Sequence, residues 1–343
     1  MALPERRIHR RVTLTEIATA VGVAPSTVSR AMSNPNRVSP EMYERIVRKA
    51  RELGYESATL PSSRQRIARG TIAMVLPNLT NPFNLDLIRG SQIQAQAAGF
   101  MQLLVTSDES EQVEAEWLVE LAESVDGIVL ASPRSPDPLL HQVAERVPLV
   151  VLNREVPWIS GVVIDTPSGL AQGLDYLVSL GHERIAYVRG PASSWTDQAR
   201  FRALRAAASR HEVELIAIGN FRPTLAAGAA AADAVELSRV TAAIFFNDTL
   251  AIGALGRFEH RGISVPEDMS VIGCDDMFGA SFTNPPLTTV TAAGEQAGRA
   301  ITDILLGSFT TKDRSHRVDR LPTHLTVRES TGSPKSRAAS TAS

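Results

Sequence analysis

The chain has 343 residues, a formal net charge of −2 and a single cysteine, Cys274. Since one hydrophobic core rarely grows beyond roughly 250 to 300 residues, this length predicts two or three domains. No apolar run reaches the roughly 18 residues of a membrane-spanning helix, and one cysteine excludes an internal disulfide framework. The N-terminal residues lack the apolar stretch of a secretory signal, so we expect a cytoplasmic protein.

Charge is distributed unevenly along the chain. Residues 1–69 carry 13 Lys+Arg and 6 Asp+Glu, a net charge of +7, whereas the remainder carries 22 and 31, a net charge of −9. A basic N-terminal segment joined to an acidic body is typical of a polyanion-binding domain attached to a module with another partner. A merely solvated charged arm is the alternative.

The N-terminal segment predicts three short helices around one small core. Gly22 ends the first helix, since this position favours a residue with positive φ, and Pro25 suits the first position of the second helix. The third helix is predicted from its N-cap, Ser39, to Gly54. Four apolar residues of the first helix follow the spacing of one helix face: Leu14, Ile17, Ala18 and Val21.

The second predicted helix is rich in hydroxyl groups. Ser26, Thr27, Ser29 and Arg30 are too many polar side chains for a short helix to bury. A helix fits the major groove of DNA, where arginine binds guanine with two hydrogen bonds and hydroxyls bond to phosphates or base edges. A generic helical hairpin is the structural alternative. Together with the basic charge, the pattern favours a helix-turn-helix head that binds double-stranded DNA.

From Gly70 onward, short apolar runs alternate with helical patterns, which is typical of βαβ units and a parallel sheet. Five runs before residue 166 and four more between residues 184 and 276 predict two doubly wound lobes. In such folds a ligand lies beyond the carboxyl ends of the strands. The side chains that follow the predicted strands are therefore candidate site residues: Asn78, Asn81, Phe83, Ser132, Arg134, Asn153, Arg154, Asp165, Asn247, Asp248, Asp275 and Asp276.

These candidates form hydrogen bonds but show no catalytic pattern. The sequence contains no HExxH, GxSxG, GxxxxGK[ST] or GxGxxG motif, which weighs against a metalloprotease, an α/β-hydrolase, a P-loop protein and a dinucleotide-binding enzyme. Asp275 and Asp276 could suggest a metal site, but a carboxylate pair without a spaced partner more often caps a helix or binds a ligand. We therefore predict no catalytic residue, no metal and no cofactor.

Residues 12–55, VTLTEIATAVGVAPSTVSRAMSNPNRVSPEMYERIVRKARELGY, resemble the DNA-binding head of the LacI/GalR family of bacterial transcription regulators. The sequence TVSR matches the core of that family's recognition helix. The resemblance implies that three residues read bases: Pro25, Ser26 and Arg30. It implies phosphate contacts for three others: Thr13, Ser29 and Ser33. Arg37, in the loop before the third helix, is a further candidate contact.

The sequence departs from the family pattern after the third helix. Family members continue with a short hinge helix whose leucine inserts into the minor groove. Here Arg64 stands at the position of that leucine, and Leu60 is the nearest apolar candidate. An inserted apolar side chain kinks DNA, whereas arginine binds a narrow minor groove electrostatically. Residues 57–69 are thus predicted to form a DNA-contacting hinge with Leu60 and Arg64, or alternatively a flexible basic linker.

The body resembles the effector domain of the same family to about residue 330, through segments such as LGHERIAYVRGP, NDTLAIGAL and GISVPEDMSVIGCDD. The resemblance implies the fold of type I periplasmic sugar-binding proteins and makes Arg200, Asn247 and Asp275 the principal effector contacts. Their donors and acceptors suit the hydroxyl groups of a sugar. Phe83 and Trp195 either stack on a sugar ring or pack in the core. Three residues at strand ends complete the predicted effector site: Asn81, Arg134 and Asp165.

We therefore predict a helix-turn-helix head (residues 1–56), a hinge (57–69), a two-lobed effector-binding and dimerisation domain (70–330) and a disordered tail (331–343). The first lobe comprises residues 70–164 and 294–320, and the second comprises residues 165–293 and 321–330.

The predicted function is that of a homodimeric transcription regulator, specifically a repressor. Its affinity for operator DNA changes when a small, sugar-like effector binds between the lobes. Two alternatives remain, a transport-type solute-binding protein and an enzyme acting on a sugar or nucleotide. The basic head disfavours the first, and the missing catalytic motifs disfavour the second.

Overall fold

The computed structural model describes residues 13–33, 38–53, 70–310 and 316–335. The chain divides into two units, residues 1–67 and 68–343. Three predicted DNA contacts, Arg37, Leu60 and Arg64, lie outside the described residues, as does the predicted hinge over residues 57–69.

The N-terminal unit contains three helices: α1 (Leu14–Val21), α2 (Pro25–Ser33) and α3 (Pro40–Glu52). Helix α1 begins with a capping box, in which the Thr13 hydroxyl accepts the Glu16 N–H and the Glu16 carboxylate accepts the Thr13 N–H at 2.7 Å. It ends at Gly22, whose φ of 75° lies in the left-handed region. The Arg45 guanidinium donates to the Val21 carbonyl at 3.2 Å, which ties α3 to the end of α1.

The apolar faces of these helices meet in one small core, as the sequence predicts. Val28 and Ala31 of α2 are completely buried against the other two helices. The remaining buried members come from α1 and α3: Ile17, Ala18, Val21, Ile46 and Ala50. This packing fixes the orientation of α2 and leaves its opposite face to solvent.

The first lobe of the larger unit is a six-stranded sheet covered by helices. Its strands are β1 (Thr71–Leu76), β2 (Met101–Thr106), β3 (Gly127–Ala131), β4 (Leu149–Leu152), β5 (Gly161–Ile164) and β11 (Val318–Leu321). They lie in the order β11-β5-β4-β3-β1-β2, and every pairing is parallel. Its helices are α4 (Phe83–Ala97), α5 (Glu111–Ser124), α6 (Asp137–Ala144) and α11 (Gly294–Thr310).

The second lobe repeats this architecture. Its strands are β6 (Arg184–Val188), β7 (Glu214–Ile218), β8 (Ala242–Phe245), β9 (Ser270–Asp275), β10 (Thr288–Thr291) and β12 (His324–Thr326). Their order is β12-β10-β9-β8-β6-β7, and β12 alone runs antiparallel to its neighbour. Its helices are α7 (Thr166–Ser179), α8 (Trp195–Arg210), α9 (Leu225–Leu237) and α10 (Asp248–Arg261). None of the helices in the described ranges has both the length and the apolar composition of a membrane span.

The chain passes between the lobes three times, after β5, after β10 and after β11. Beyond β12 it continues along the second lobe, where the Gly332 N–H donates to the Ser270 hydroxyl at 3.0 Å and the Gly332 carbonyl accepts from the His182 ring at 2.9 Å. The prediction of a disordered tail from residue 331 is therefore wrong for residues 331–335, because these contacts anchor them. Residues 336–343 lie outside the described part.

The contact between α4 and α11 requires glycine. A Cβ at Gly298 would lie 2.1 Å from the Leu87 carbonyl oxygen, whereas contacts of real Cβ atoms are essentially never shorter than 3.0 Å. We expect Gly298→Ala to lower the free energy of unfolding by about 1–3 kcal/mol, since the two helices must separate. Urea unfolding measures this change. Gly256→Ala in α10 is the matched control, because a Cβ there meets nothing within 4 Å. Equal unfolding midpoints for wild type and Gly298→Ala would contradict the prediction.

Candidate functional site

Helix α2 carries six of the ten predicted DNA contacts. Four of its residues are exposed: Pro25, Ser26, Ser29 and Arg30. Thr27 is half-buried, and Ser33 is described only as the last residue of the helix. The buried side of α2 packs on the core of the head, and its exposed side carries hydroxyls and a guanidinium. A helix with these two sides is suited to bind in a groove of DNA.

Thr13, a predicted phosphate contact, is engaged in the cap of α1. Its hydroxyl lies 3.1 Å from the Glu16 carboxylate and accepts the Glu16 N–H at 3.4 Å. A phosphate would have to displace the Glu16 carboxylate from this hydroxyl, because two anions repel each other. The contact remains a prediction.

A cleft lies between the two lobes, beyond the carboxyl ends of their strands. Its space, including the open mouth, is about 540 Å³. Five of the eight predicted effector contacts line it: Asn81, Phe83, Arg134, Arg200 and Asp275. Further polar lining comes from both lobes: Asn78, Asn84, Glu109, Ser132, Asn153, Ser194 and Thr196.

Arg200 lies on the second-lobe side of the cleft, where α8 carries it toward the ends of three strands. Its Nε donates to the Thr166 hydroxyl at 3.0 Å, and its Nη2 donates to Asp275 Oδ1 at 3.3 Å. Its Nη1 donates to the Phe246 carbonyl. With only 5% of the side chain exposed, the guanidinium is fixed in one orientation before any ligand arrives.

Asp275 reaches the cleft through a strained turn. Asp275 and Asp276 have φ values of 110° and 53°, which are unfavourable for residues other than glycine. The Met277 N–H donates to Asp248 Oδ2 at 2.8 Å, and this hydrogen bond stabilises the turn. The Asp275 carboxylate also lies 3.5 Å from the Asn81 amide nitrogen of the first lobe. One carboxylate thus contacts both sides of the cleft.

On the first-lobe side, Glu109 and Arg134 form a buried ion pair with an Nη2–Oε2 distance of 2.5 Å. The other Glu109 oxygen accepts from the Asn78 amide at 2.8 Å, and the Arg134 N–H donates to the buried Glu114 carboxylate at 3.0 Å. Glu109 is a site residue that the sequence did not predict. It stands three residues beyond β2, so the criterion of polar side chains after a strand would have found it.

Three predicted effector contacts lie outside the cleft lining. Asp165 caps α7 by accepting the Ser168 N–H at 3.3 Å, and the Trp195 ring lies 4.4 Å from the Arg154 guanidinium. Asp165 is engaged in the cap of α7 and Trp195 in a contact with Arg154, and their roles in effector binding remain predictions. Asn247 caps α10 and is buried, but its Nδ2 has no hydrogen-bond partner within the described chain. Its role therefore remains a prediction.

Asp248 is completely buried beside the cleft, and the Thr289 hydroxyl donates to its Oδ1 at 2.6 Å. Burial, then the nearby Asp275 carboxylate, raises the pKa of Asp248 well above its ordinary value. A raised folded-state pKa means that this group stabilises the fold fully below its unfolded pKa of about 3.9. That stabilisation is lost as pH rises through the folded pKa.

Asp248→Asn is therefore expected to gain stability relative to wild type as pH rises from 4 to 8. Asparagine carries no charge, can accept the Met277 N–H and can donate to Thr289. Urea unfolding of both proteins at several pH values measures the difference. A difference that stays constant across this range would contradict the assignment of a raised pKa to Asp248.

Within the described residues, no group of three or more His, Cys, Asp and Glu side chains could hold a metal ion. Cys274 is buried beside Asp275. The side chains of the cleft offer hydrogen bonds and paired charges to a ligand.

Comparison with known families gives two matches. Residues 13–57 match the bacterial regulatory proteins of the lacI family, and residues 174–331 match the periplasmic binding protein-like domain. The HTH-type transcriptional repressor CytR of Escherichia coli (strain K12) is 30% identical over 304 residues, which are 86% of this chain and 89% of CytR. The HTH-type transcriptional regulator CelR of Thermobifida fusca is 32% identical over 342 residues, which are 95% and 99% of the two chains.

Among solved structures, a LacI family transcriptional regulator from Enterococcus faecium with bound ribose superposes with a TM-score of 0.70 and 27% identity. The match covers 77% of this chain and 99% of that one. The family matches confirm the resemblance of both the head and the body. The exposed helix of the head, the two-lobed cleft and relatives of nearly full length agree: the chain belongs to the LacI family of bacterial transcription regulators.

Proposed function

We propose that this regulator is a homodimeric repressor whose affinity for its operator changes when a small polyhydroxylated effector binds in the cleft. The observation that carries the proposal is the presence of two separate sites in one chain. One is the exposed face of α2, with Ser26, Ser29 and Arg30, and the other is the cleft, with Arg200 and Asp275. Such a chain has the parts of an effector-controlled DNA-binding protein.

The cleft suits a carbohydrate. Its asparagine and serine side chains both donate and accept hydrogen bonds, and Phe83 and Phe246 supply apolar walls. The ribose bound by the Enterococcus faecium regulator supports this class of effector. An effector changes DNA affinity only as far as it prefers one lobe arrangement over the other. The cleft, where Asn81 and Asp275 face each other across the lobes, is where that preference would arise.

Exposed apolar side chains support a dimer. The edge strand β2 exposes Met101, Leu103 and Leu104, and the second lobe exposes Phe278 and Phe282, whose rings lie 5.1 Å apart. Clusters of exposed apolar side chains mark interaction sites. A two-fold dimer would present two α2 helices to the half-sites of a near-palindrome. Because operator DNA is its proposed partner, we propose that the protein acts in the bacterial cytoplasm, and we propose no catalytic activity for it.

Selection of genomic DNA fragments by the purified full-length protein tests the proposal. It is done at moderate salt, because non-specific phosphate binding weakens steeply as salt rises. We expect recovery of one recurring near-palindrome. Sugars are then screened for their effect on binding to that sequence. Recovery of unrelated fragments, all released by added salt, would contradict sequence-specific regulation.

A further inference from the structure

The charges of the cleft indicate what kind of effector it accepts. Resting on the proposed function, we infer that the effector is an uncharged polyhydroxy compound, and that its phosphorylated or carboxylated derivatives are excluded. Three features of the cleft carry this inference: its paired charges, the acidic residues at the helix ends that face it, and its neutral hydrogen-bonding side chains.

The charged side chains of the lining cancel in pairs. Arg134 is paired with Glu109 at 2.5 Å and Arg200 with Asp275 at 3.3 Å, and all four side chains are at most 10% exposed. The described lining contains neither lysine nor histidine. An anionic ligand would therefore be desolvated without a net opposing charge, which costs far more free energy than burying a hydroxyl. The Glu109 carboxylate, in particular, would repel a phosphate brought to Arg134.

Two of the helix ends near the cleft carry a negative charge that opposes the helix dipole. Helices α4, α8 and α10 each begin beside residues that line it, and the positive end of a helix dipole can bind an anion. Each of these helices carries an acidic residue in its first turn: Asp86, Asp197 and Asp248. Asp197 and Asp248 are completely buried. The Asp86 and Asp197 carboxylates add negative charge at the ends of α4 and α8, which lowers the attraction of those two helix ends for a second anion.

The remaining polar lining is neutral and suits hydroxyl groups. Asn78, Asn84 and Asn153 carry amides, each of which donates and accepts, as a sugar hydroxyl does. The Thr196 hydroxyl lines the cleft and is buried without a partner among the described residues. A buried hydroxyl of this kind calls for a ligand atom that can bond to it. The three amides already bond to Glu109, the Asn78 carbonyl and the Ile164 N–H, so a polyol would bond to their remaining N–H groups and lone pairs and to the Thr196 hydroxyl, without adding charge.

The first test uses inorganic phosphate as the probe and compares wild type with Glu109→Gln by calorimetry and thermal shift. Glutamine keeps the shape of the side chain but leaves the charge of Arg134 unpaired, so the variant should bind phosphate about tenfold more tightly than wild type. Glu111→Gln is the matched control, because Glu111 is an exposed first-turn residue of α5 and does not line the cleft. Equal phosphate affinity for all three proteins would overturn the role given to Glu109.

The second test needs only the wild-type protein, so it stands even if Glu109→Gln does not fold. Neutral sugars and their phosphate esters, beginning with D-ribose and D-ribose 5-phosphate, are compared for binding and for their effect on operator affinity. Effects confined to neutral members support the inference. A response to a phosphate ester but not to its parent sugar overturns the inference and leaves the proposed function intact. A protein that binds its operator but responds to no sugar in either form contradicts the proposed effector, and the inference fails with it.

Discussion

Arg30→Ala is expected to lower the preference for operator over unrelated DNA by at least about 30-fold. Arg30 lies on the exposed face of α2, while Val28 and Ala31 on the same helix hold it against the core. A bidentate arginine–guanine contact contributes about 1–3 kcal/mol of discrimination, and a dimer loses two of them. The measurement is the ratio of operator to non-specific affinity at fixed salt. Effector affinity should be unchanged, because the cleft belongs to the other unit of the chain.

Arg48→Ala separates base reading from simple loss of charge. Arg48 is an exposed arginine of α3 and belongs to the same basic head. Its removal should weaken binding to all DNA by a similar factor and keep the sequence preference, since a phosphate contact carries no base information. If Arg30→Ala and Arg48→Ala change the affinity ratio equally, α2 is not the reading helix.

Asp275→Asn is expected to remove the effector response while operator binding is retained. Asp275 contacts Arg200 within its own lobe and faces Asn81 across the cleft, so it acts where the lobes close. A hydrogen bond to a charged group contributes about 1.5–3 kcal/mol, so effector affinity should fall by at least about tenfold. Titration of the operator complex with the effector found by screening measures this loss.

The control for Asp275→Asn is Asp233→Asn. Asp233 also pairs with an arginine, Arg257, at 2.8 Å, but at a partly exposed position of the second lobe away from the cleft. It should retain the full effector response. If both variants fold and respond like wild type, Asp275 has no part in effector binding.

All nine strands expected from the sequence are present, and the reason is physical. Parallel strands covered on both faces carry unbroken apolar runs, as in β3 and β4, so the sequence alone shows them. The three strands that the sequence did not show lack such runs. Strand β11 is VDRL at a sheet edge, and the buried Thr288 and Thr289 of β10 depend on tertiary partners, the Ser330 and Asp248 side chains. No local sequence pattern indicates these contacts, because the partners are far apart in the sequence.

The residue types of the candidate site were predictable from the sequence, but the contacts of several side chains were not. The criterion of polar residues directly after strands identifies Asn81, Arg134 and Asp275, because the topology brings the strand ends together. Trp195 could not be placed in the same way. It stands in the first turn of α8, and only the folded structure shows that Arg154 of the other lobe meets its ring. The pairing of Glu109 with Arg134 likewise joins residues from two separate strand ends.

The crossings between the lobes determine when each lobe can be completed during synthesis. The first lobe takes α11 and β11 from the end of the chain, and the second takes β12. A nascent chain that has reached residue 290 therefore lacks the helix that packs on α4 and the strand that pairs with β5. Domains otherwise tend to fold in order as they leave the ribosome. In this chain neither lobe can finish early, so the cleft forms only when nearly the whole protein has been made.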